Sequence, residues 1–197
     1  MSPATTTHLL YLHGFRSSPQ SAKARLVAAY AAQHHPDMQL WCPQLPASPR
    51  AAMDMVAAGI AAWPQAHMAV VGSSLGGYYA SWVAQHMRCP SVLLNPAVDP
   101  ARDLADHIGN QTSWHDPAEH FYFAPEFVEE LRALDVRGEA PAARQLAIIA
   151  KGDEVLDWRE MASRYADAEI TLLEGGDHAL SDFAVHLPQI AQFLRLT

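Results

Sequence analysis

Short apolar runs alternate along the chain with longer segments of helical character. Pro, Gly or polar residues bound each run, and each is only five or six residues long. Runs that are apolar throughout their length are typical of strands buried on both faces of a parallel sheet. The pattern therefore predicts six such strands, at 8–12, 38–42, 67–71, 91–95, 145–150 and 169–173.

Helical patterns fill most of the gaps between these runs. Ser18-Pro19 opens a segment to about His34, and Ser48-Pro49 opens one to about Trp63; each pair reads as an N-cap followed by Pro in the first turn. Shorter patterns cover 75–87 and 158–165. A last amphipathic stripe contains a proline that either kinks the helix or starts a second one (Phe183, Leu187, Pro188, Ile190, Leu194). Alternating strands and helices predict an α/β fold: a mostly parallel six-stranded sheet, helices on both faces and right-handed crossovers.

One segment, 97–141, interrupts this alternation. It contains no apolar run of strand type, and helical character is confined to about 125–134. Forty-odd residues are too many for an ordinary connection. We therefore expect a single domain over 1–197, with 97–141 inserted after the fourth strand as a cap or lid.

Composition limits the function classes. A chain of 197 residues with 50% apolar and 17% charged residues suits one folded domain, and a net charge of −8 disfavours nucleic acid as a partner. Cys42 and Cys89 lie in apolar surroundings, which predicts buried free thiols and a reducing compartment. Without a leader pattern or a long apolar stretch, we expect a cytoplasmic protein with no membrane association.

The sequence MAVVGSSLGGYYASW carries the clearest chemical signal. Gly72, Ser74 and Gly76 fit the pattern G-x-S-x-G, with a strand before it and a helix after it. A sharp strand-to-helix turn of this kind exposes a serine hydroxyl and directs helix amides at a developing oxyanion. A structural glycine-rich turn is the alternative, but the pattern lacks the nucleotide-binding signatures G-x-G-x-x-G and Gly-Lys-Ser/Thr. We therefore predict that Ser74 is a nucleophile.

A serine nucleophile needs a base, and the base needs an orienting acid. In alpha/beta hydrolases these follow the serine in the order acid, then histidine, just past strand ends. His178 follows the last strand through a Gly-Gly turn and is the predicted base. Asp153 lies directly beyond the preceding strand and is the preferred acid, with Glu154 and Asp157 as rivals. The neighbour of the base, Asp177, could instead shape its turn.

The loop after the first strand, LHGFRSS, is expected to complete an oxyanion hole. Its donors would be the amides of Phe15 and Leu75, with His13 supporting the loop and Arg16 either solvated or contacting an anionic substrate group. Four aromatic residues of the cap either line an acyl pocket or pack a small core of the cap itself (Trp114, Phe121, Tyr122, Phe123). No His or Cys cluster has metal-site spacing, so we expect neither a metal nor a cofactor.

Five motifs carry a resemblance over almost the whole chain: YLHGFRSSPQSAKA, GSSLGGYYA, LLNPAV, KGDEVLD and GGDHAL. They resemble a family of small bacterial alpha/beta-hydrolase esterases of the YqiA/YcfP type, long described as uncharacterised. The resemblance implies a hydrolase sheet without its usual first two strands, hence the order 2-1-3-4-5-6. It also implies Ser74 as nucleophile, Asp153 as acid, His178 as base and activity on simple acyl esters. It says little about 97–141.

These observations together predict a serine esterase acting on a small-molecule acyl ester. A thioesterase or acyltransferase with the same triad is an alternative, and so is a non-catalytic hydrolase-fold protein that binds a ligand or partner. Ten of the 21 acidic residues lie in 99–139, which favours neutral or cationic substrates if they must pass the cap. The sequence leaves the natural substrate and the oligomeric state open.

Overall fold

The structure, a computed structural model, describes residues 4–197. Strands and helices alternate from the N-terminus up to residue 94 and again from residue 145 onwards. The main-sheet strands are β1 His8–Leu12, β2 Gln39–Trp41, β3 Met68–Ser73, β4 Ser91–Leu94, β7 Gln145–Ala150 and β8 Glu169–Leu173, and a separate hairpin holds β5 Gly109–Thr112 and β6 His120–Phe123. The α-helices are α1 Ala22–His34, α2 Pro49–Ile60, α3 Leu75–Met87, α4 Pro100–Asp103, α5 Pro125–Ala133, α6 Trp158–Arg164 and α7 Leu187–Leu194.

All six strands of the main sheet run parallel, in the order β2-β1-β3-β4-β7-β8. Counting only these six, the order is 2-1-3-4-5-6, which confirms the predicted topology. The carboxyl ends of all the strands therefore meet at one edge, where open α/β sheets place their ligands.

Side chains alternate across the sheet and build two separate cores. In β1, Leu10 and Leu12 face the core shared with α2, α3 and α5, whereas Leu9 and Tyr11 face the core shared with α1 and α7. These four side chains are at most 1% exposed. Burial on both faces explains why the central strands are apolar throughout.

Two helix boundaries differ from the sequence prediction. The first helix begins at Ala22 rather than after Ser18, because the Ser21 side chain accepts the Ala24 amide and acts as the N-cap. The second begins at Pro49 as predicted but ends at Ile60, short of Trp63. Near the C-terminus, Pro188 lies in the first turn of α7 after a short 3-10 turn at Phe183–His186, so it starts a second helix rather than kinking one.

The prediction that 97–141 contains no strand is wrong. This segment begins with α4, which lies outside the predicted helical stretch of about 125–134, and continues with the antiparallel hairpin of β5 and β6 and then α5. The sequence of β5 is GNQT, which has no apolar member, and β6 is a four-residue aromatic segment. The hairpin stands apart from the main sheet, so neither of its strands shows the apolar run of a strand buried on both faces.

Helix α5 docks onto the start of α2 through a buried carboxylate. Glu130 accepts hydrogen bonds from the Ser48 hydroxyl at 2.6 Å and from the Arg50 amide at 3.1 Å, and it pairs with the Arg50 guanidinium at 2.7 Å. A carboxylate at a helix N-terminus also complements the helix dipole. These bonds fix α5 relative to α2.

Over residues 4–197, none of the helices combines the length and the apolar character that a membrane crossing requires.

Candidate active site

Ser74 occupies a strained turn between β3 and α3. Its backbone has φ 56° and ψ −122°, a region that non-glycine residues rarely adopt and that costs about 1–3 kcal/mol. The surrounding backbone holds this conformation: the Ser74 amide donates to Leu94 O at 3.0 Å, and Ser74 O accepts from Ala97 at 3.0 Å. Although Ser74 stands at the N-cap position, its hydroxyl makes no capping bond and stays available for other contacts.

Two glycines of the turn are required by close backbone approach. A Cβ on Gly72 would lie 2.0 Å from Gly76 O, and a Cβ on Gly76 would lie 2.0 Å from Leu12 O. No side chain fits at such distances, and the obstructing atoms are backbone. The glycines of G-x-S-x-G therefore let α3 start directly against the end of β1, where the loop with Gly14 passes beside Ser74.

Ser74, His178 and Asp153 form one continuous chain of hydrogen bonds. The distance from His178 Nε2 to Ser74 Oγ is 3.1 Å, and that from His178 Nδ1 to Asp153 Oδ2 is 2.8 Å. Ser74 follows β3, Asp153 follows β7 and His178 follows β8, so the carboxyl edge of the sheet brings them together. The structure thus places all three predicted triad residues within hydrogen-bonding distance.

The carboxylates near His178 have different partners. Asp153 has no exposed side-chain surface, and its second oxygen accepts the amides of Val155 and Leu156, both at 2.8 Å. Glu154 accepts the backbone amide of His178 at 3.0 Å, not its ring, and Asp157 caps α6. Of these three carboxylates, Asp153 alone contacts the imidazole.

The carboxylate next to His178, that of Asp177, stabilises the turn instead. Asp177 accepts both the amide and the hydroxyl of Ser181, at 2.9 and 2.5 Å. Those hydrogen bonds lower the pKa of Asp177 below its usual range. Asp177 therefore stabilises the loop that carries His178.

Asn95 is a residue of this site that sequence reasoning did not single out. It follows β4, has φ 40° and is fully buried. Its amide nitrogen donates to Asp177 O at 3.0 Å and His178 O at 3.3 Å, while its side-chain oxygen accepts Ala150 N at 2.8 Å. Asn95 thus ties the His178 loop to the end of β7. The only earlier signal was its place in the LLNPAV motif.

We expect Asn95→Ala to lower both stability and catalysis. Losing three buried hydrogen bonds and leaving their backbone partners unpaired should cost about 2–4 kcal/mol of unfolding free energy. Displacement of the His178 loop should lower kcat by about tenfold to a hundredfold. Urea titration and ester kinetics measure the two effects. Asn110, the other asparagine of the chain, is exposed on β5 and provides the matched control, Asn110→Ala. Equal effects of the two substitutions would contradict this role for Asn95.

The loop after β1 lies against Ser74. A Cβ on Gly14 would lie 3.2 Å from Ser74 Cβ, so the backbone of this loop runs directly beside the serine. Over residues 4–197, the amides of Phe15 and Leu75 donate no hydrogen bond to another protein group. The Phe15 ring packs edge-on against Phe121 and Phe123, with centroids 5.9 and 5.3 Å away. The hairpin thereby packs against this loop.

His13 holds this loop from the other side. Its Nδ1 lies 3.0 Å from Gly14 O, and its Nε2 accepts the Leu45 amide at 3.1 Å. Because Nε2 accepts, the ring carries its proton on Nδ1 and is neutral. Burial lowers the His13 pKa and outweighs the Gly14 carbonyl, which favours the protonated ring. Both nitrogens are occupied, so His13 supports the loop.

Arg16 connects the same loop to the hairpin. Its Nε donates to Thr112 O at 2.7 Å, its carbonyl accepts the Trp114 amide at 2.8 Å, and its guanidinium stacks on the Trp114 ring at 4.1 Å. The residue has φ 58°, a left-handed conformation. Arg16 is therefore neither a freely solvated arginine nor one placed against Ser74.

Two cavities adjoin the loop after β1, and Ser74 borders one of them. The Met55 cavity, of about 270 Å³, has an apolar lining from Phe15, Leu45, Met55, Leu75, Tyr79 and Phe121. The Lys23 cavity, of about 290 Å³, contains Ser74 and His178 and is lined further by Tyr11, Ser17, Ser21 and Lys23. His13 borders both, Arg16 borders the Met55 cavity, and Trp114 borders the Lys23 cavity while remaining 67% exposed.

Two predicted pocket residues lie outside both cavities. Tyr122 is 56% exposed and faces outward, whereas Phe123 is 1% exposed and packs against Phe15 and Phe127. Successive side chains of β6 point to opposite faces, so Phe121 and Phe123 turn inward and Tyr122 outward. Phe121 alone of these three reaches a cavity.

The prediction of two buried thiols also needs correction: both are free, but Cys42 is partly exposed and only Cys89 is buried.

Comparison with known proteins gives concordant results. The model of an uncharacterised protein family, UPF0227, matches residues 8–195. The chain is similar to alpha/beta hydrolase domain-containing protein 10 from mouse, with TM-score 0.73, 14% identity, and 97% of this chain and 92% of that chain covered. It is similar to the esterase domain of a Rhodothermus marinus protein, with TM-score 0.72, 18% identity, and 99% and 89% covered.

A further similar structure is one described for the metagenome-derived lipolytic enzymes LipS and LipT, with TM-score 0.71, 18% identity, and 98% of this chain and 95% of that chain covered. At such identities the likeness concerns the fold, and it confirms the predicted alpha/beta-hydrolase architecture. The family match spans nearly all of the chain and agrees with the resemblance seen in the motifs. The chain belongs to the uncharacterised protein family UPF0227 and has the alpha/beta-hydrolase fold.

Proposed function

We propose that this protein is a serine esterase that cleaves small acyl esters through Ser74, His178 and Asp153. The observation that carries the proposal is the hydrogen-bond chain from Asp153 through His178 to a serine held in a strained turn. Backbone strain of this kind persists where surrounding structure enforces it, and it occurs at catalytic positions. The solved relatives described as esterases and lipolytic enzymes give the fold in which this chemistry is expected.

In the first half of the reaction, Ser74 Oγ attacks the acyl carbonyl while His178 Nε2 takes its proton. Asp153 keeps the imidazole in the tautomer that has its proton on Nδ1 and stabilises the imidazolium that forms. The carbonyl oxygen becomes an oxyanion, which the Phe15 and Leu75 amides would stabilise. His178 then returns the proton to the departing alcohol oxygen, and the acyl group stays on Ser74.

In the second half, water attacks the acyl-enzyme. His178 removes a proton from this water, a second oxyanion forms at the same amides, and its collapse releases the carboxylic acid and restores Ser74. The same residues serve both halves, so the proposed reaction requires no cofactor.

Three further features belong to this proposal. Residues 97–141 act as a cap, since α5 is anchored on α2 while Phe121 borders the Met55 cavity. The protein works as a single domain over 1–197. Its place is the cytoplasm, because free thiols such as Cys42 and Cys89 are typical of reducing compartments.

Covalent labelling tests the proposal directly. A fluorophosphonate requires a serine activated by a base, so we expect one adduct per chain by intact mass and its localisation to Ser74 by peptide mapping. His178→Ala should lose most of the labelling while retaining its fold by circular dichroism. Absence of an adduct on folded wild-type protein would favour a hydrolase-fold binding protein instead.

A further inference from the structure

The Lys23 cavity has an unusual charge for a chain with a net charge of −8. Among the described residues that line it there is an ammonium group, Lys23, and no carboxylate. The hydroxyl-bearing residues Ser17 and Ser21 line the same space. A cavity with these groups has the donors and the charge that an anion needs.

The Lys23 ammonium has hydrogen-bond donors that no acceptor of the described chain uses. Its ammonium donates one hydrogen bond, to Ala179 O at 2.5 Å, and an ammonium has three N–H groups. Within residues 4–197, no carboxylate lies within ion-pair distance of it. Burial lowers the pKa of Lys23, while Asp177 and Asp153 raise it from a distance. The oxygens of those two carboxylates are engaged with Ser181 and with His178 and backbone amides, so Lys23 remains without a counter-ion.

Tyr11 forms part of the cavity wall with its ring, while its hydroxyl is enclosed in the core. The residue is 1% exposed, and its hydroxyl has no hydrogen-bond partner in the described part of the chain. The residues at the start of the 13-residue helix α1, Ser21 to Lys23, also line the cavity, and the positive end of its dipole adds to the positive charge there.

The chemistry of Ser74 determines which part of a substrate meets Lys23. His178 must give its proton to the departing alcohol oxygen, so the alcohol portion has to lie on the His178 side of the serine. His178 and Ser74 both border the Lys23 cavity, and neither borders the Met55 cavity. The apolar Met55 cavity is left for the acyl chain.

We propose that the substrate is an ester whose alcohol portion carries a carboxylate, which Lys23 binds. This inference rests on the proposed esterase function and names its substrate class. A carboxylate carries one negative charge, which matches the single positive charge of Lys23, and a hydrogen bond between an ammonium and a carboxylate is charge-assisted. The Lys23 cavity, which Ser74 and His178 border, thus has room for the anionic alcohol portion. The Met55 cavity, which adjoins it along the loop after β1, has room for the acyl group.

The acidity of the cap does not oppose this arrangement. Of the ten acidic residues in 99–139, only Glu119 borders either cavity, and it borders the Met55 cavity. Several of the others are ion-paired, including Glu130 with Arg50 and Asp135 with Arg137. The expectation that an acidic cap selects neutral or cationic substrates is therefore replaced by the opposite charge preference.

A matched pair of esters tests the inference. The butyryl esters of 4-hydroxybenzoate and 4-hydroxybenzamide share an acyl group and differ in one negative charge on the alcohol portion. We expect wild-type kcat/KM to favour the benzoate ester. Lys23→Met should reduce the ratio of the two kcat/KM values by about tenfold, the lower end for a hydrogen bond to a charged group, because Lys23 is half-buried. Lys23→Arg should restore part of the ratio.

Lys151, the only other lysine, provides the control. It pairs with Glu174 and does not border the cavity, so Lys151→Met should leave the ratio unchanged. If Lys23 had only a structural role, through its bond to Ala179 O, both rates would fall together and the ratio would stay constant; that result would overturn the inference and leave the esterase proposal intact. Absence of Ser74-dependent turnover of both esters would overturn the two together.

Discussion

Replacing Ser74 with alanine is expected to lower kcat for a p-nitrophenyl acyl ester by about 10⁶-fold, the loss found on removing the nucleophile from a serine triad. In the proposed mechanism this hydroxyl forms the acyl-enzyme, and no other hydroxyl makes a hydrogen bond to His178 Nε2 within residues 4–197. Alanine keeps the backbone φ of 56° as strained as serine does, so the fold should persist. Steady-state kinetics and circular dichroism measure the two properties.

The adjacent serine gives the control for this substitution. Ser73 ends β3 and is buried, and its hydroxyl bonds neither His178 nor Asp153. Ser73→Ala should therefore change kcat by no more than a few-fold. If Ser74→Ala turned over the ester at the wild-type rate and Ser73→Ala were inactive, the nucleophile would be Ser73. That result would contradict the assignment of Ser74.

The second large effect is expected for Asp153→Asn, which should lower kcat by about 10³–10⁴-fold. In the wild type, one Asp153 oxygen accepts the Val155 and Leu156 amides and the other faces His178 Nδ1. An asparagine keeps its oxygen on the two amides and turns its NH₂ toward the imidazole. The imidazole must then accept on Nδ1 and carry its proton on Nε2, so it can no longer remove the proton of Ser74.

Substitution of the two rival acids distinguishes geometry from charge. Asp157→Asn should have little effect, since asparagine is as good an N-cap as aspartate for α6. Glu154→Gln keeps an oxygen for the His178 amide and should cost about tenfold or less. All three changes remove one negative charge near His178. A loss that is equal for the three would show that charge alone matters, and a larger loss for Asp157→Asn would move the acid.

The sheet and the proximity of Ser74, Asp153 and His178 could be predicted from the sequence because both depend on local patterns. The central strands are buried on both faces, so their apolar character is continuous, and the apolar run before Ser74 indicates a strand there. In a parallel sheet the residue after each strand lies at one edge, which brings Ser74, Asp153 and His178 together without knowledge of any loop. The preference for Asp153 over Glu154 and Asp157 follows from the same rule.

Other features depend on contacts between distant segments. Asn95 is buried by its bonds to the His178 loop, 82 and 83 residues further along the chain, and a single asparagine after a strand predicts nothing of the kind. The polar strand β5 is defined by its pairing with β6, not by its own composition. Phe123 and Tyr122 belong to one aromatic run, and only the direction of the hairpin decides which of them is buried.

The contact of Arg16 with the hairpin would link two properties of the proposed esterase. Arg16, the residue after Phe15, donates to Thr112 O and accepts the Trp114 amide. The Phe15 ring itself packs against two phenylalanines of the hairpin. These contacts position the Phe15 amide. Any displacement of the hairpin must therefore also displace this donor. In the proposed esterase, a substrate that contacts the hairpin would therefore also affect the position of the Phe15 amide, and substrate binding and oxyanion stabilisation would share one coupling free energy.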